Sequence, residues 1–199
     1  MTPEKLLEIL SQAAKLKTTY RHCFTDKERR ESTAEHSWRL ALMGMLMDGD
    51  DAYRDCDMNR VIRMCLIHDL GESFTGDIPT FLKQADDSHT EEECFRQWID
   101  TFPSPQKEEW LSLLQEMKAQ ETKEARLYKA LDKLEAIISH NESDIRTWLP
   151  LEYDLQLTYG RENTAEPAAM AELRAAVDAW TEEKIRTESP APDMQIKKG

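Results

Sequence analysis

The chain has 199 residues and a mass of 23.1 kDa, and its 40% hydrophobic residues suffice for one core. Asp and Glu outnumber Lys and Arg by 39 to 26, giving a net charge of -13, which argues against nucleic acid and anionic membrane as partners. Mean hydropathy is -0.69, and no apolar run approaches the ~18 residues of a membrane-spanning helix.

Glycine and proline are sparse and β-branched runs are few, so the pattern is helical nearly throughout. Residues 1–17 carry Leu6, Leu7, Leu10, Ala13, Ala14 and Leu16 near the 3.6-residue period, which predicts an amphipathic helix rather than a signal peptide. Residues 18–31 break the pattern and are rich in basic side chains. Ser32-Thr-Ala-Glu35 has the spacing of a capping box and predicts a helix to about Met47. Asp57 is placed to cap a helix over 58–69 that Gly71 stops. Residues 74–83, with Gly76 and Pro79, read as a structured loop. Further helices are predicted at 90–101, 105–119, 122–140, 143–157 and 165–186. The reading is all-α, one helical bundle over residues 1–186 with a polar tail over 187–199. The cysteines (Cys23, Cys56, Cys65, Cys94) form no CxxC pair, which fits a reducing, cytoplasmic compartment.

Chemistry is sought where ionisable residues stand in apolar positions. In the helix over 58–69, Val61, Ile62, Cys65 and Leu66 mark the buried stripe, and His68 and Asp69 extend it at spacings of three, four and seven. His36 leads in the same way to Leu40, Met43 and Met47. Two histidines and an aspartate thus point inward from two helix ends. Burying an unpaired carboxylate costs several kcal/mol, so Asp69 calls for a cation, and a metal ion is one that histidine shares. A bare His-Asp dipeptide is weak evidence in a chain this rich in Asp, and a single inward His is more often a hydrogen-bonded core residue. The joint pattern is what favours metal.

The stretches Ala34-Glu-His-Ser-Trp-Arg-Leu-Ala41 and Ile67-His-Asp-Leu-Gly-Glu-Ser-Phe-Thr-Gly-Asp-Ile-Pro-Thr80 resemble HD-domain metal-dependent phosphohydrolases. Within that superfamily they are most similar to the bacterial 5′-deoxyribonucleotidase branch, which includes YfbR-like proteins. Lys129-Ala-Leu-Asp132 matches the branch's last ligand motif, and the resemblance spans about residues 16–160. It implies an HD-domain helical bundle in which His36, His68, Asp69 and Asp132 hold one divalent metal. The residues alone leave Asp132 open between a ligand and a solvated carboxylate. It falls off the stripe of Leu127, Leu131, Leu134 and Ile138, beside Tyr128, Ala136 and Ser139. Mixed N/O ligation suits Mn²⁺, Co²⁺, Fe²⁺ or Zn²⁺ better than Mg²⁺.

The resemblance also implies roles for the remaining motif residues. Glu72 orients or deprotonates the attacking water, and Asp77 protonates the leaving 5′-oxygen or positions the sugar. Arg21 grips the phosphate. Beside it the branch tends to carry a Trp that crowds the sugar, whereas this chain has His22, which weakens the expectation of a deoxyribose preference. The expected partner is a small-molecule nucleotide, with a homodimer left open. Other activities on the same motif are a nucleotide phosphodiesterase, a (p)ppGpp hydrolase and a non-catalytic nucleotide-binding regulatory module. A two-iron oxygenase needs more histidines than His89, the one between Asp69 and Asp132.

Overall fold

The computed structural model describes residues 1–26 and 28–189. In chain order its elements are α1 (Pro3–Ala13), a 3-10 turn (Ala14–Lys17), β1 (Tyr20–Phe24), β2 (Arg30–Ser32) and α2 (Thr33–Met47). They continue with α3 (Met58–Ile67), α4 (Glu72–Thr75), α5 (Ala85–Ile99), α6 (Gln106–Ala119), α7 (Lys123–Glu142), α8 (Glu152–Thr158) and α9 (Ala168–Glu188). The all-α class holds, with one two-stranded antiparallel sheet added. None of these helices is long and apolar enough to cross a membrane, and all four cysteines are free.

The bundle centres on α7, which packs on α2, α3, α6 and α9. Its Leu131, Leu134 and Ile137 are fully buried, alongside Leu40 of α2, Val61, Met64 and Cys65 of α3, and Met170 of α9. The predicted capping box at the start of α2 forms: Ser32 Oγ accepts from Glu35 N at 3.3 Å, and Glu35 Oε2 accepts from Ser32 N at 2.9 Å. Asp57 caps α3 through Arg60 N at 3.2 Å.

Four expectations are corrected. Residues 18–31 hold a β-hairpin, invisible to a search for apolar periodicity because its register is irregular between Tyr20 and Phe24. Of the predicted stripe, Leu6, Leu7 and Leu10 are exposed, while Ala13 and Leu16 dock on the core together with Ile9. The helix expected over 143–157 is a 3-10 turn (Ile145–Thr147) and α8, separated by Trp148-Leu149-Pro150, because proline excludes the residue before it from helical geometry. Helix α9 runs to Glu188, two residues into the expected tail. The rest of that tail, 190–199, lies outside the described residues.

Candidate active site

Three helices deliver four side chains to one point. His36 sits in the first turn of α2, His68 and Asp69 follow the last turn of α3, and Asp132 lies midway along α7. Asp69 Oδ2 is 3.0 Å from His68 Nε2 and 3.8 Å from His36 Nε2. Asp132 Oδ1 is 3.4 Å from His36 Nε2 and 3.7 Å from His68 Nε2. Asp132 is buried, so the solvated alternative does not apply.

The donor chemistry fits a divalent metal. Among the described residues, Nε2 of His36 and Nε2 of His68 are both buried without a hydrogen-bond partner. Each Nδ1 is already engaged, with the Glu135 carboxylate for His36 and with the Cys65 carbonyl, at 2.9 Å, for His68. Fixing one ring nitrogen leaves the other aimed at the cluster, which is how ligating histidines are usually oriented. Burial opposes charge on His68, but Asp69 and Asp132 outweigh it and push the ring up to about 10. Burial also opposes ionisation of Asp132, yet Lys129, Lys133 and the two imidazoles hold it well below the usual carboxylate range. A metal at this point therefore competes with protons on both rings.

Behind the cluster lies a second layer that the sequence reading missed. Glu135, fully buried, bonds His36 with one oxygen and accepts from Arg39 Nε at 2.6 Å with the other. Ser139 Oγ links Glu135 to Glu31, lying 3.0 Å from each. Glu135 follows Leu131 by four, so the inward-carboxylate test that found Asp69 also applies to it.

The four side chains lie beside a cavity of about 310 Å³, with Asp69 and Asp132 in its wall. Arg21, His22 and Cys23 all line it, although alternate residues of a regular strand face opposite sides. The irregular register of β1 accounts for this, since a bulge re-aims side chains. The Arg21 guanidinium lies 3.2 Å from Glu31 and 3.9 Å from Asp69. Burial disfavours its charge, but Glu135, Glu31, Asp69 and Asp77 hold it firmly protonated. His22 packs edge-on to Phe81 at 5.5 Å, with Nε2 3.4 Å from Glu152.

Glu72 and Asp77 face the same cavity. Gly76, at φ +81°, makes a turn open chiefly to glycine and brings Asp77 there. Glu72 accepts from Thr33 Oγ1 at 2.9 Å. Burial and the charges of Asp69 and Asp77 push it up to about 10. Asp77 is also raised, chiefly by burial. Two interacting carboxyl groups in one buried place titrate as a pair, so the first proton is held well into neutral pH. Arg29, by contrast, points away to an exposed pairing with Glu35 at 3.0 Å.

Residues 13–174 match the family model described as HD domain. The chain belongs to the HD-domain family. Human 5′-deoxynucleotidase HDDC2 is 31% identical over 141 residues, 69% of this chain and 67% of the relative. The 5′-deoxynucleotidase HDDC2 of Dictyostelium discoideum is 33% identical over 145 residues, 68% of this chain and 76% of the relative. Among solved structures, a predicted metal-dependent phosphohydrolase from Magnetospirillum magnetotacticum superposes with a TM-score of 0.75 at 32% identity, covering 94% of this chain and 97% of that one. This HD-domain chain thus has relatives named as nucleotidases and a structural neighbour named as a metal-dependent phosphohydrolase.

Proposed function

We propose that this chain is a metal-dependent phosphohydrolase that releases phosphate from nucleoside 5′-monophosphates, deoxynucleotides included. The observation that carries the reading is the convergence of His36, His68, Asp69 and Asp132 beside a cavity that also presents a half-buried, permanently charged Arg21. These four side chains are the proposed ligands of one divalent ion, with Mn²⁺, Co²⁺, Fe²⁺ or Zn²⁺ favoured over Mg²⁺ by the two imidazoles. Such an ion supplies Lewis acidity and an acidified water.

The chain's own residues supply the rest. Arg21 presents a planar fork to two phosphoryl oxygens, and Glu31 holds that fork in place. The Glu72–Asp77 pair retains one proton, so one carboxyl donates while the other accepts. Glu72, one turn beyond His68, takes the proton from the attacking water, and Asp77 protonates the departing 5′-oxygen. Ligation of Asp69 would offset one of the charges that, after burial, hold Glu72 up. His22 borders the sugar, and its ring is smaller than the indole expected in the branch. A 2′-hydroxyl is therefore tolerated better than in a Trp-bearing relative, and His22→Trp raises deoxy selectivity.

The test uses purified protein stripped by a chelator and reloaded with single metals. Phosphate release is expected from nucleoside 5′-monophosphates, with 3′-monophosphates left largely intact and about one metal bound per chain. A cyclic dinucleotide, a (p)ppGpp-type substrate or a triphosphate as the best substrate overturns the nucleotidase reading.

A further inference from the structure

We propose that Gln156 is the residue that hydrogen-bonds the nucleobase, so that the cavity end formed by α8 reads the base while the other end holds the phosphate. The proposal rests on the nucleotidase reading.

Helix α7 runs along the cavity as a ruler. Asp132, Ala136 and His140 line it at successive turns, which places the His140 end ~12 Å along the helix axis from the phosphate end. Ala136, the smallest of the three side chains, leaves room in the middle for a sugar. The far end is closed by one face of α8, where Glu152, Leu155 and Gln156 recur at three- and four-residue spacing.

Most polar groups at that end are committed; His22 Nε2, buried with no hydrogen-bond partner among the described residues and 3.4 Å from Glu152, is one exception. Glu152 accepts from His140 Nε2 at 3.0 Å with one oxygen and from Leu149 N at 2.6 Å with the other. His140 Nδ1 is 2.8 Å from the Ala136 carbonyl. Tyr159 Oη accepts from Lys133 at 2.7 Å and lies 3.2 Å from Thr80 Oγ1. Gln156 differs. It is 3% exposed and lines the cavity, yet its side-chain amide has no partner among the described residues. Outside the helix's own backbone bonds, its backbone carbonyl accepts from Arg174 at 3.4 Å.

An amide that lines the cavity with no protein partner is open to a ligand, and it offers two donors and an acceptor side by side. That pattern complements the edge of a nucleobase, where donors and acceptors also adjoin. A phosphate would use only the donors. Phe81, with His22 edge-on to it, and Leu155 provide the apolar surface that a flat ring needs.

The experiment compares deoxynucleoside 5′-monophosphates with 2-deoxyribose 5-phosphate, which carries the same phosphate and sugar without a base. In wild type, the nucleotides are expected to show KM at least tenfold lower. Gln156→Leu should reduce the nucleotide-to-abasic ratio of kcat/KM about tenfold, through KM, as losing one or two hydrogen bonds implies. Gln156→Glu, which accepts only, should shift preference towards dCMP and dAMP, whose bases present an amino group, and away from dTMP. Equal KM for the two substrate types in wild type overturns the proposal without any variant. So does an unchanged ratio in both folded variants. If no 5′-monophosphate is hydrolysed, the nucleotidase reading fails separately. Calorimetric binding of deoxyadenosine or deoxycytidine to wild type and Gln156→Leu then decides: tenfold weaker binding to the variant supports base recognition, and no binding to wild type overturns it.

Discussion

Glu135 divides its two oxygens between the His36 imidazole and Arg39, and it does so with no solvent contact. The carboxylate keeps a proton on His36 Nδ1 and leaves Nε2 as the free donor, while Arg39 keeps the carboxylate charged. Burial works against that charge, but His36, Arg21 and Arg39 draw the acid down to about 2. An amide at this position cannot serve both neighbours as acceptor. Glu135→Gln is therefore expected to weaken metal affinity about 10–100-fold, the usual cost of losing such a support, while kcat recovers at saturating metal. Competition against a chelator of known affinity measures the first effect, and a metal titration of activity the second. Unchanged affinity would mean that the Glu135–His36 bond does not orient the ring. His36, His68 and Asp69 were legible in the sequence because each extends an apolar stripe. Asp132 was not, because it stands beside the stripe of its helix, at the edge of the core where cavity and bundle meet. Gln156 left no signal, since a lone amide in a short amphipathic segment looks like any solvated glutamine.

Helix α8 is short and follows a proline; it packs on α9, whose Arg174 donates to the Gln156, Leu157 and Tyr159 carbonyls, and side-chain ties also join it to α7. The His140–Glu152 pair is one of them, 3.0 Å long, with Glu152 buried and His140 half-buried. Burial disfavours charge on His140, but Cys23 and Glu152 more than compensate and push it up to about 10 from 6.5. Glu152 is likewise lowered despite its burial, by His140 and the Leu149 N–H. The folded protein thus binds the His140 proton more tightly than the unfolded chain does. This stabilisation is complete below about pH 6.5, declines above it and is lost as pH rises through about 10. Glu152 contributes above its unfolded value, and that share is lost as pH falls through its lower folded value. His140→Gln should therefore cost most stability near pH 6, with the gap to wild type closing towards pH 10.5. Denaturant titrations of both proteins across that range check it, and a constant gap would show that His140 acts only by packing. A second tie is steric. A Cβ on Gly160, at φ +65°, would lie 2.4 Å from Lys133 Cβ, so glycine is needed where the chain leaves α8. The long helices and their caps could be read from periodicity and capping residues. The hairpin, with its irregular register, and the break at Pro150 could not, and those two segments carry Arg21, His22 and the α8 face.

On the scale of the whole molecule, a net charge of -13 repels a dianionic nucleotide, while Arg21, Lys83, Lys129 and Lys133 gather at the cavity wall. The two fields differ in range. At about 10 mM salt the Debye length is ~30 Å and the acidic surface acts on an approaching substrate from every side. At about 150 mM it falls to ~8 Å, and only charges lining the cavity still act. Lys129 and Lys133 lie 2.9 Å and 3.5 Å from Asp132, and Lys83 lies 2.6 Å from Glu91, so much of the local positive charge is already paired. Arg21, itself 3.2 Å from Glu31, and the divalent ion proposed for this site would supply the remainder. Salt should therefore relieve distant repulsion more than it weakens close attraction. With metal held saturating, kcat/KM for a nucleoside 5′-monophosphate is expected to rise between about 10 and 150 mM NaCl. Inhibition by the uncharged nucleoside should stay flat over the same range, because it senses neither field. A kcat/KM that falls with salt would mean that the cations at the cavity govern approach even at long range, and that the acidic surface is electrostatically silent towards substrate.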